Sequence, residues 1–204
     1  MNNTLLTKEI AEEWLAGERD NGLSSFTEIT DDAAEALGTR DGAPCLRGEL
    51  NLKGLKTLSD FAAKALANNP GMLNLSGLSC VSDTLIDALS GHHGTVLWLD
   101  GLVVISDSHA KALANHKGKL FLCGLTSLGD VAAEALARHA GDLYLNRLEV
   151  LNDLAAEALA KHEGKIYLLG LTRLSDLSLA SLCRHKGEVR VPRGQEVRDL
   201  ATGF

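Results

Sequence analysis

Residues 120–141 read LFLCGLTSLGDVAAEALARHAG, and the two halves of this stretch follow different hydrophobic periods. In the first half, Leu120 and Leu122 flank a single residue, and this alternation at period two predicts a short strand. In the second half, the alanines and Leu136 are spaced three and four residues apart after Asp130, which predicts a helix. The stretch therefore predicts one strand followed by one short helix.

The same strand–helix pattern returns every 23 residues, once after 24, and predicts seven repeats over residues 26–191. About six extra residues in the stretch 41–47 separate the first repeat from the second. A unit this short cannot enclose its own leucines, so the repeats must stack on one another. We therefore predict an α/β solenoid shaped as a horseshoe, with parallel strands on the concave face and short helices on the convex face. Each predicted helix begins near an aspartate: Asp31, Asp60, Asp83, Asp107, Asp130, Asp153 and Asp176.

Both ends of the repeat array carry predicted caps, so we expect one domain over residues 1–204. An amphipathic helix from about Leu5 to Ala16 is predicted within an N-terminal cap of residues 1–25. At the other end, Pro192 interrupts the strand pattern. In residues 192–204, we expect Val197, Leu200 and Phe204 to cover the last strand and protect its edge.

Recurring polar residues mark both ends of each predicted helix. Ser or Asp is expected as the N-cap, and Gly is expected to stop the helix in a left-handed conformation. Metal binding and pH sensing are the functional alternatives for the histidines near the C-terminal ends of the helices. Metal ligands must converge on one point, however, whereas this column places one histidine per repeat along a line. We expect these histidines to bond the last carbonyls of each helix. The column comprises His92, His116, His139, His162 and His185, with Asn69 at the equivalent place in an earlier repeat.

Composition and charge exclude several classes of function. A formal net charge of −7 argues against nucleic acid as a partner, because such binding relies on clustered Lys and Arg. No apolar run approaches the roughly 18 residues of a membrane span, and the N-terminus lacks a signal-peptide pattern. The sequence contains no phosphate-binding loop and no predicted metal, cofactor or catalytic site. The cysteines lack paired spacing and are expected as reduced thiols of a cytoplasmic protein: Cys45, Cys80, Cys123 and Cys183.

Aromatic residues occupy the outward position in four consecutive predicted strands. Half of the eight aromatic side chains in the chain fall in this column, where a structural role requires them least. Such rings supply binding energy at protein interfaces, and they also stabilise neighbouring strands by cross-strand packing; both interpretations stay open. The outward residues are Asn51, Asn74, Trp98, Phe121, Tyr144, Tyr167 and Arg190, and the next column contains Lys53, Ser76, Asp100, Cys123, Asn146 and Leu169.

The pattern L-x-L-x-G-L-x-x-L-S-D followed by a short helix resembles the leucine-rich repeat, and is most similar to its cysteine-containing subtype. It also resembles bacterial proteins built from near-copies of L-S-D-x-A-A-E-A-L-A-x-H-x-G. The resemblance implies a scaffold that binds another protein, without implying which one. The units are shorter than those of that subtype. Arg147 or glycine stands where the usual motif has Asn or Cys; the glycines are Gly54, Gly77, Gly101, Gly124 and Gly170.

We therefore expect a non-catalytic module that binds a protein of unknown identity through its concave strand face. The alternative is a structural or self-associating repeat protein, whose aromatic column is buried in a homodimer. We expect neither nucleic acid nor a membrane as a partner. The predicted binding residues are Trp98, Phe121, Tyr144, Tyr167, Asn74, Arg190, Asp100 and Asn146.

Overall fold

A computed structural model of the chain describes residues 4–18, 22–39 and 48–192. The chain forms two compact units, Met1–Gly101 and Leu102–Phe204, and each is built from parallel strands alternating with short helices. This architecture confirms the prediction of an α/β repeat solenoid. The extra residues of the stretch 41–47 and the predicted lid of Val197, Leu200 and Phe204 lie outside the described residues. Within those residues, every helix is too short or too polar to cross a membrane.

In the first unit, two groups of parallel strands are present. Strand β1 pairs with β2, and β3, β4 and β5 pair in that order, with Leu50, Leu73 and Leu97 in register. Each helix packs against the next along the chain. The elements are β1 (Leu5–Leu6), α1 (Lys8–Leu15), a short 3-10 helix (Leu23–Ser25), β2 (Glu28–Ile29), α2 (Asp31–Gly38), β3 (Glu49–Asn51), α3 (Asp60–Ala67), β4 (Met72–Asn74), α4 (Asp83–Ser90) and β5 (Val96–Trp98).

The N-terminal cap differs from its prediction because it begins with a strand. Leu5 and Leu6 were expected inside the cap helix, but they form β1, and the helix begins only at Lys8. Pairing with β2 supplies main-chain hydrogen bonds, such as that from the Thr30 N–H to the Leu6 carbonyl at 3.0 Å. The cap is therefore itself a strand–helix unit.

In the second unit, four consecutive strands form a parallel sheet in chain order. Leu120, Leu143, Ile166 and Val189 lie in register across it. The four helices again pack in sequence order. The elements are α5 (Asp107–Leu113), β6 (Lys119–Phe121), α6 (Asp130–Leu136), β7 (Leu143–Tyr144), α7 (Asp153–Leu159), β8 (Ile166–Tyr167), α8 (Asp176–Leu182) and β9 (Val189–Arg190).

The core of each unit contains strand leucines and helix alanines. Around β6 and α6, Leu120, Leu122, Ala133 and Leu136 are fully buried. Helices of seven or eight residues are too short to be stable alone, so their stability comes from burying this face. Alanine on that face lets the helix lie close to the sheet.

The helix N-termini correct the predicted role of the aspartates. The N-cap is the residue before each aspartate, and the aspartate is the first helical residue. At α8, for example, the Ser175 Oγ accepts a hydrogen bond from the Ser178 N–H at 3.0 Å. The Ser175 hydroxyl also donates to the carboxylate of Asp153, one repeat earlier. The aspartates therefore link neighbouring repeats: Asp130 accepts from the Asn152 side chain at 2.7 Å, and Asp60 from the Ser82 hydroxyl at 3.0 Å.

The glycines that follow the helices also differ from their prediction. Gly17 alone has a positive φ among the described residues, so the other described glycines do not end helices in a left-handed conformation. Gly141 serves instead to let the main chain of the preceding repeat approach closely. A Cβ on this residue would lie 2.0 Å from the Gly118 carbonyl oxygen.

Candidate functional site

Three aromatic rings stack on the outer face of the sheet in the second unit. Phe121, Tyr144 and Tyr167 end strands β6, β7 and β8 in register, while the aliphatic residues on either side of them are buried. Because successive strand residues point to opposite faces, the rings lie on the face away from the helices. Their centroids are 3.8 Å and 4.2 Å apart, and their planes are tilted by only 7° and 5°. We call these three side chains the aromatic ridge.

Arg190 ends the ridge with a positive charge. It pairs in register with Tyr167, and its guanidinium carbon lies 5.7 Å from the centre of that ring, a cation–π distance. The Nε group donates to the Glu188 carboxylate at 2.6 Å, and this ion pair raises the pKa of Arg190. The guanidinium is therefore oriented by one acid and one ring.

The spacing of side chains indicates that the ridge lies on the inner side of a local curve. The ring centroids are closer than the roughly 4.8 Å between paired strands. Within the same unit, the imidazoles of successive repeats, from His116 to His185, are 6.0 to 6.2 Å apart. The sheet face of this unit is therefore concave, as predicted.

Ion pairs border one side of the ridge. Lys119 lies 3.6 Å from the carboxylate of Asp142, and Lys165 lies 3.0 Å from that of Glu188. Hydrogen bonds from the lysine and from Arg190 lower the pKa of Glu188, so this group is ionised at neutral pH. The border thus alternates in charge from strand to strand.

The other border combines polar and apolar groups. Asn146 is half-buried, and its amide donates to the Cys123 sulfur at 3.7 Å. Its side-chain oxygen accepts from the Leu169 N–H at 3.4 Å. Leu169 itself is exposed. This border therefore offers an apolar contact beside a positioned amide.

The remaining predicted binding residues lie in the first unit. Trp98 ends β5 in register with Asn74, and both side chains are half-buried. The Asn74 amide donates to Glu49 at 2.8 Å, and Asp100 accepts from the Ser76 hydroxyl at 3.5 Å. The structure therefore brings Phe121, Tyr144 and Tyr167 together as a stack and places Trp98 beside Asn74 in the first unit.

The hydroxyl of Tyr144 is uncharged at physiological pH. Burial of the Tyr144 hydroxyl and the adjacent Tyr167 hydroxyl raise the pKa of Tyr144 to about 12. Tyr144 therefore keeps its proton at neutral pH.

Sequence analysis missed a second apolar surface at the start of the helices. The second residue of each of α6, α7 and α8 is aliphatic and projects into solvent. Val131, Leu154 and Leu177 are 46%, 63% and 68% exposed, and Val150, before α7, is 61% exposed. We call these four side chains the helix-start stripe. Its signal in the sequence is an apolar residue directly after the aspartate in three consecutive repeats, where Thr84 and Ser108 stand in two earlier repeats.

The histidine column is buried. His162 interacts with the carbonyl of Ala137 at the end of α6, whereas three members of the column contact the residue two positions later. His185 accepts from the Gly187 N–H at 2.9 Å, and Asn69 accepts from the Gly71 N–H at 2.7 Å. The Nδ1 of His139 lies 3.1 Å from the carbonyl oxygen of Gly141. These contacts fix the turn that follows the helix at Asn69, His139 and His185.

The described residues contain no cluster of three or more His, Cys, Asp or Glu side chains placed to hold a metal ion. In the same part of the chain, the thiols of Cys80, Cys123 and Cys183 form no disulfide. A cleft of about 360 Å³ lies beside the C-terminal ends of α7 and α8, with charges of both signs in its lining. The lining includes Glu157, Lys161, His162, Glu163, Ser181, Arg184 and Lys186.

No protein-family model matches the sequence, and no curated protein matches it. The similarity to leucine-rich repeats therefore rests on the repeat pattern itself.

Proposed function

We propose that this chain is a protein-binding module of the leucine-rich-repeat type, without catalytic chemistry of its own. Its contact surface is the aromatic ridge with its two borders. The stack of Phe121, Tyr144 and Tyr167 on the concave face of the second unit carries this proposal. Large rings there supply apolar area, while Arg190 and the ion pairs supply polar contacts around it.

The partner that fits this surface presents a convex apolar element. Tyr144 is neutral, the exposed neighbour Leu169 is apolar, and the flanking charges alternate, so no single-sign field attracts a highly charged ligand. A helix or loop with projecting aliphatic or aromatic side chains meets these conditions. The absence of disulfides among the described cysteines supports the proposal of a reducing, cytoplasmic location.

Replacing Tyr144 and Tyr167 by alanine tests this function. We expect the double variant to bind a purified partner, first obtained by affinity capture from the host, at least about tenfold more weakly than the wild type does. Isothermal titration calorimetry measures the affinity, and circular dichroism checks the fold. Phe61→Ala, which removes an exposed ring on α3, is the matched control and is expected to bind normally. Equal affinity of the double variant and the wild type would contradict the proposal.

Self-association is the second candidate function, and the charge pattern favours it. Lys119, Asp142, Lys165 and Glu188 alternate in sign across four strands. A second copy related by a two-fold axis would place each cation of this row opposite an anion. Sedimentation velocity over a concentration series distinguishes the candidates: a dimer that the double variant abolishes indicates self-association, and a monomer indicates a different partner.

A further inference from the structure

The helix-start stripe lies on a different part of the second unit from the aromatic ridge. Val131, Leu154 and Leu177 belong to helices, and Val150 lies just before α7, whereas the rings project from the opposite face of the sheet. Leu154 and Leu177 are each more than half exposed, although leucine in this protein is otherwise the principal core residue. The largest apolar patch on a typical monomer covers about 300–600 Å² and is often functional.

A row of carboxylates accompanies the stripe. Asp130, Asp153 and Asp176 directly precede Val131, Leu154 and Leu177 in the chain. The groups bonded to Asp130 and Asp153 are neutral, namely an asparagine amide and serine hydroxyls. The hydroxyls of Ser175 and Ser178 lower the pKa of Asp153, so it keeps its charge at neutral pH. The apolar surface is therefore bordered by negative charge that these hydrogen bonds do not neutralise.

We propose that the helix-start stripe docks a basic amphipathic helix of a partner protein. The apolar face of that helix would cover Val131, Leu154, Leu177 and Val150, and its Lys or Arg side chains would pair with the aspartates. This surface is additional to the aromatic ridge and does not depend on the function proposed for the ridge.

The dimensions and the charge both favour such a helix. Packed helices lie about 8–10 Å apart, so three of them span about 16–20 Å. A helix of about 11–13 residues covers that length at 1.5 Å per residue. An extended strand would gain fewer main-chain hydrogen bonds here, because the stripe lies at helix starts and not at an unpaired sheet edge. The same carboxylates repel anionic partners, namely anionic lipids, nucleic acids and the equivalent acidic face of a second copy.

A designed peptide tests the proposal directly. The probe is a capped peptide of about 15 residues, with leucine at positions i, i+3, i+4 and i+7 and lysine elsewhere. We expect the full chain to bind it, and Leu154→Gln/Leu177→Gln to bind it about tenfold more weakly. Asp176→Asn should weaken binding and reduce its dependence on salt. Isothermal titration calorimetry at low and high salt measures both effects.

Three controls make the result specific. Phe61→Gln changes the equivalent exposed position of α3 and should leave binding unchanged. Tyr144→Ala/Tyr167→Ala should also bind the peptide normally, which separates this surface from the ridge. A peptide with glutamate in place of lysine should not bind. Equal binding by wild type and Leu154→Gln/Leu177→Gln would overturn the proposal, as would self-association of the free protein that this double substitution abolishes.

Discussion

Gly141 shows how closely the main chains of neighbouring repeats approach each other. A Cβ at this residue would lie 2.0 Å from the Gly118 carbonyl oxygen and 3.0 Å from the Cε1 atom of His139. The first obstacle is backbone and the second is a buried ring, so neither can move away at low cost. The glycine is required for space, since its φ is not positive.

Gly141→Ala is therefore expected to lower the free energy of unfolding by about 3 kcal/mol, the upper range for an overpacked core. Urea unfolding followed by circular dichroism measures the change. Gly129→Ser is the matched control, because nothing lies within 4 Å of a Cβ on Gly129. That residue is the N-cap of α6 and has no side-chain cap, so serine should stabilise by a few tenths of a kcal/mol. A neutral Gly141→Ala would contradict this account of close approach.

The histidines at the helix ends interact with one another from one repeat to the next. His139 is buried between His116 and His162, with ring centroids 6.1 and 6.0 Å away. Burial, followed by the neighbouring imidazoles, lowers the pKa of His139 to about 4. Burial also lowers the pKa of His162, although backbone carbonyls and Asp142 favour its charged form. Protonation of His139 or His162 is therefore opposed by burial and by repulsion from a charged imidazole in the adjacent repeat.

Stability is expected to fall as the pH is lowered from about 6.5 towards 4. In this window the unfolded chain binds a proton at His139 that the folded chain does not, so acid favours unfolding. A difference of about 2.5 pH units corresponds to at most about 3 kcal/mol from this residue. Urea unfolding at a series of pH values measures the slope.

His139→Asn is the informative variant, because Asn69 occupies the same position in an earlier repeat and bonds forward to Gly71. The asparagine does not titrate, so the variant should lose stability less steeply in acid than the wild type. His93→Asn, at an exposed position, should leave the slope unchanged. An identical slope for His139→Asn and wild type would show that the acid sensitivity arises elsewhere.

At the scale of the whole molecule, the sequence predicted the order and the type of the repeated elements that the structure describes. Period-two leucines such as Leu120 and Leu122 identify strands, because burying both leaves the intervening residue on the other face. The N-cap of each helix depends on the backbone conformation, which the spacing of residues in the sequence does not specify. Serine and aspartate are both good N-caps, and only the backbone shows that Ser175 has this role.

The two surfaces differ in how far the sequence predicted them. The ridge was found because an aromatic residue between two leucines must leave the core. The stripe was missed because Leu154 lies in a helix that needs apolar residues anyway, and its exposure depends on the helix rotation that buries Ala155 and Ala156. Periodicity predicts a buried face more readily than it predicts an apolar residue just outside that face.

Because each repeat contacts mainly its neighbours, a local defect should spread over a limited distance in the second unit. Gly141→Ala disturbs the contact with Gly118. Near this contact, the Leu120 N–H donates to the Asp142 carbonyl, and the Leu143 N–H donates to the Lys165 carbonyl. In hydrogen–deuterium exchange we expect amides of β6 and β7 to lose the most protection and those of β8 to lose less. Equal loss in all three strands would show that the second unit opens as one cooperative body, so that the stability of its repeats is not a sum of nearest-neighbour contributions.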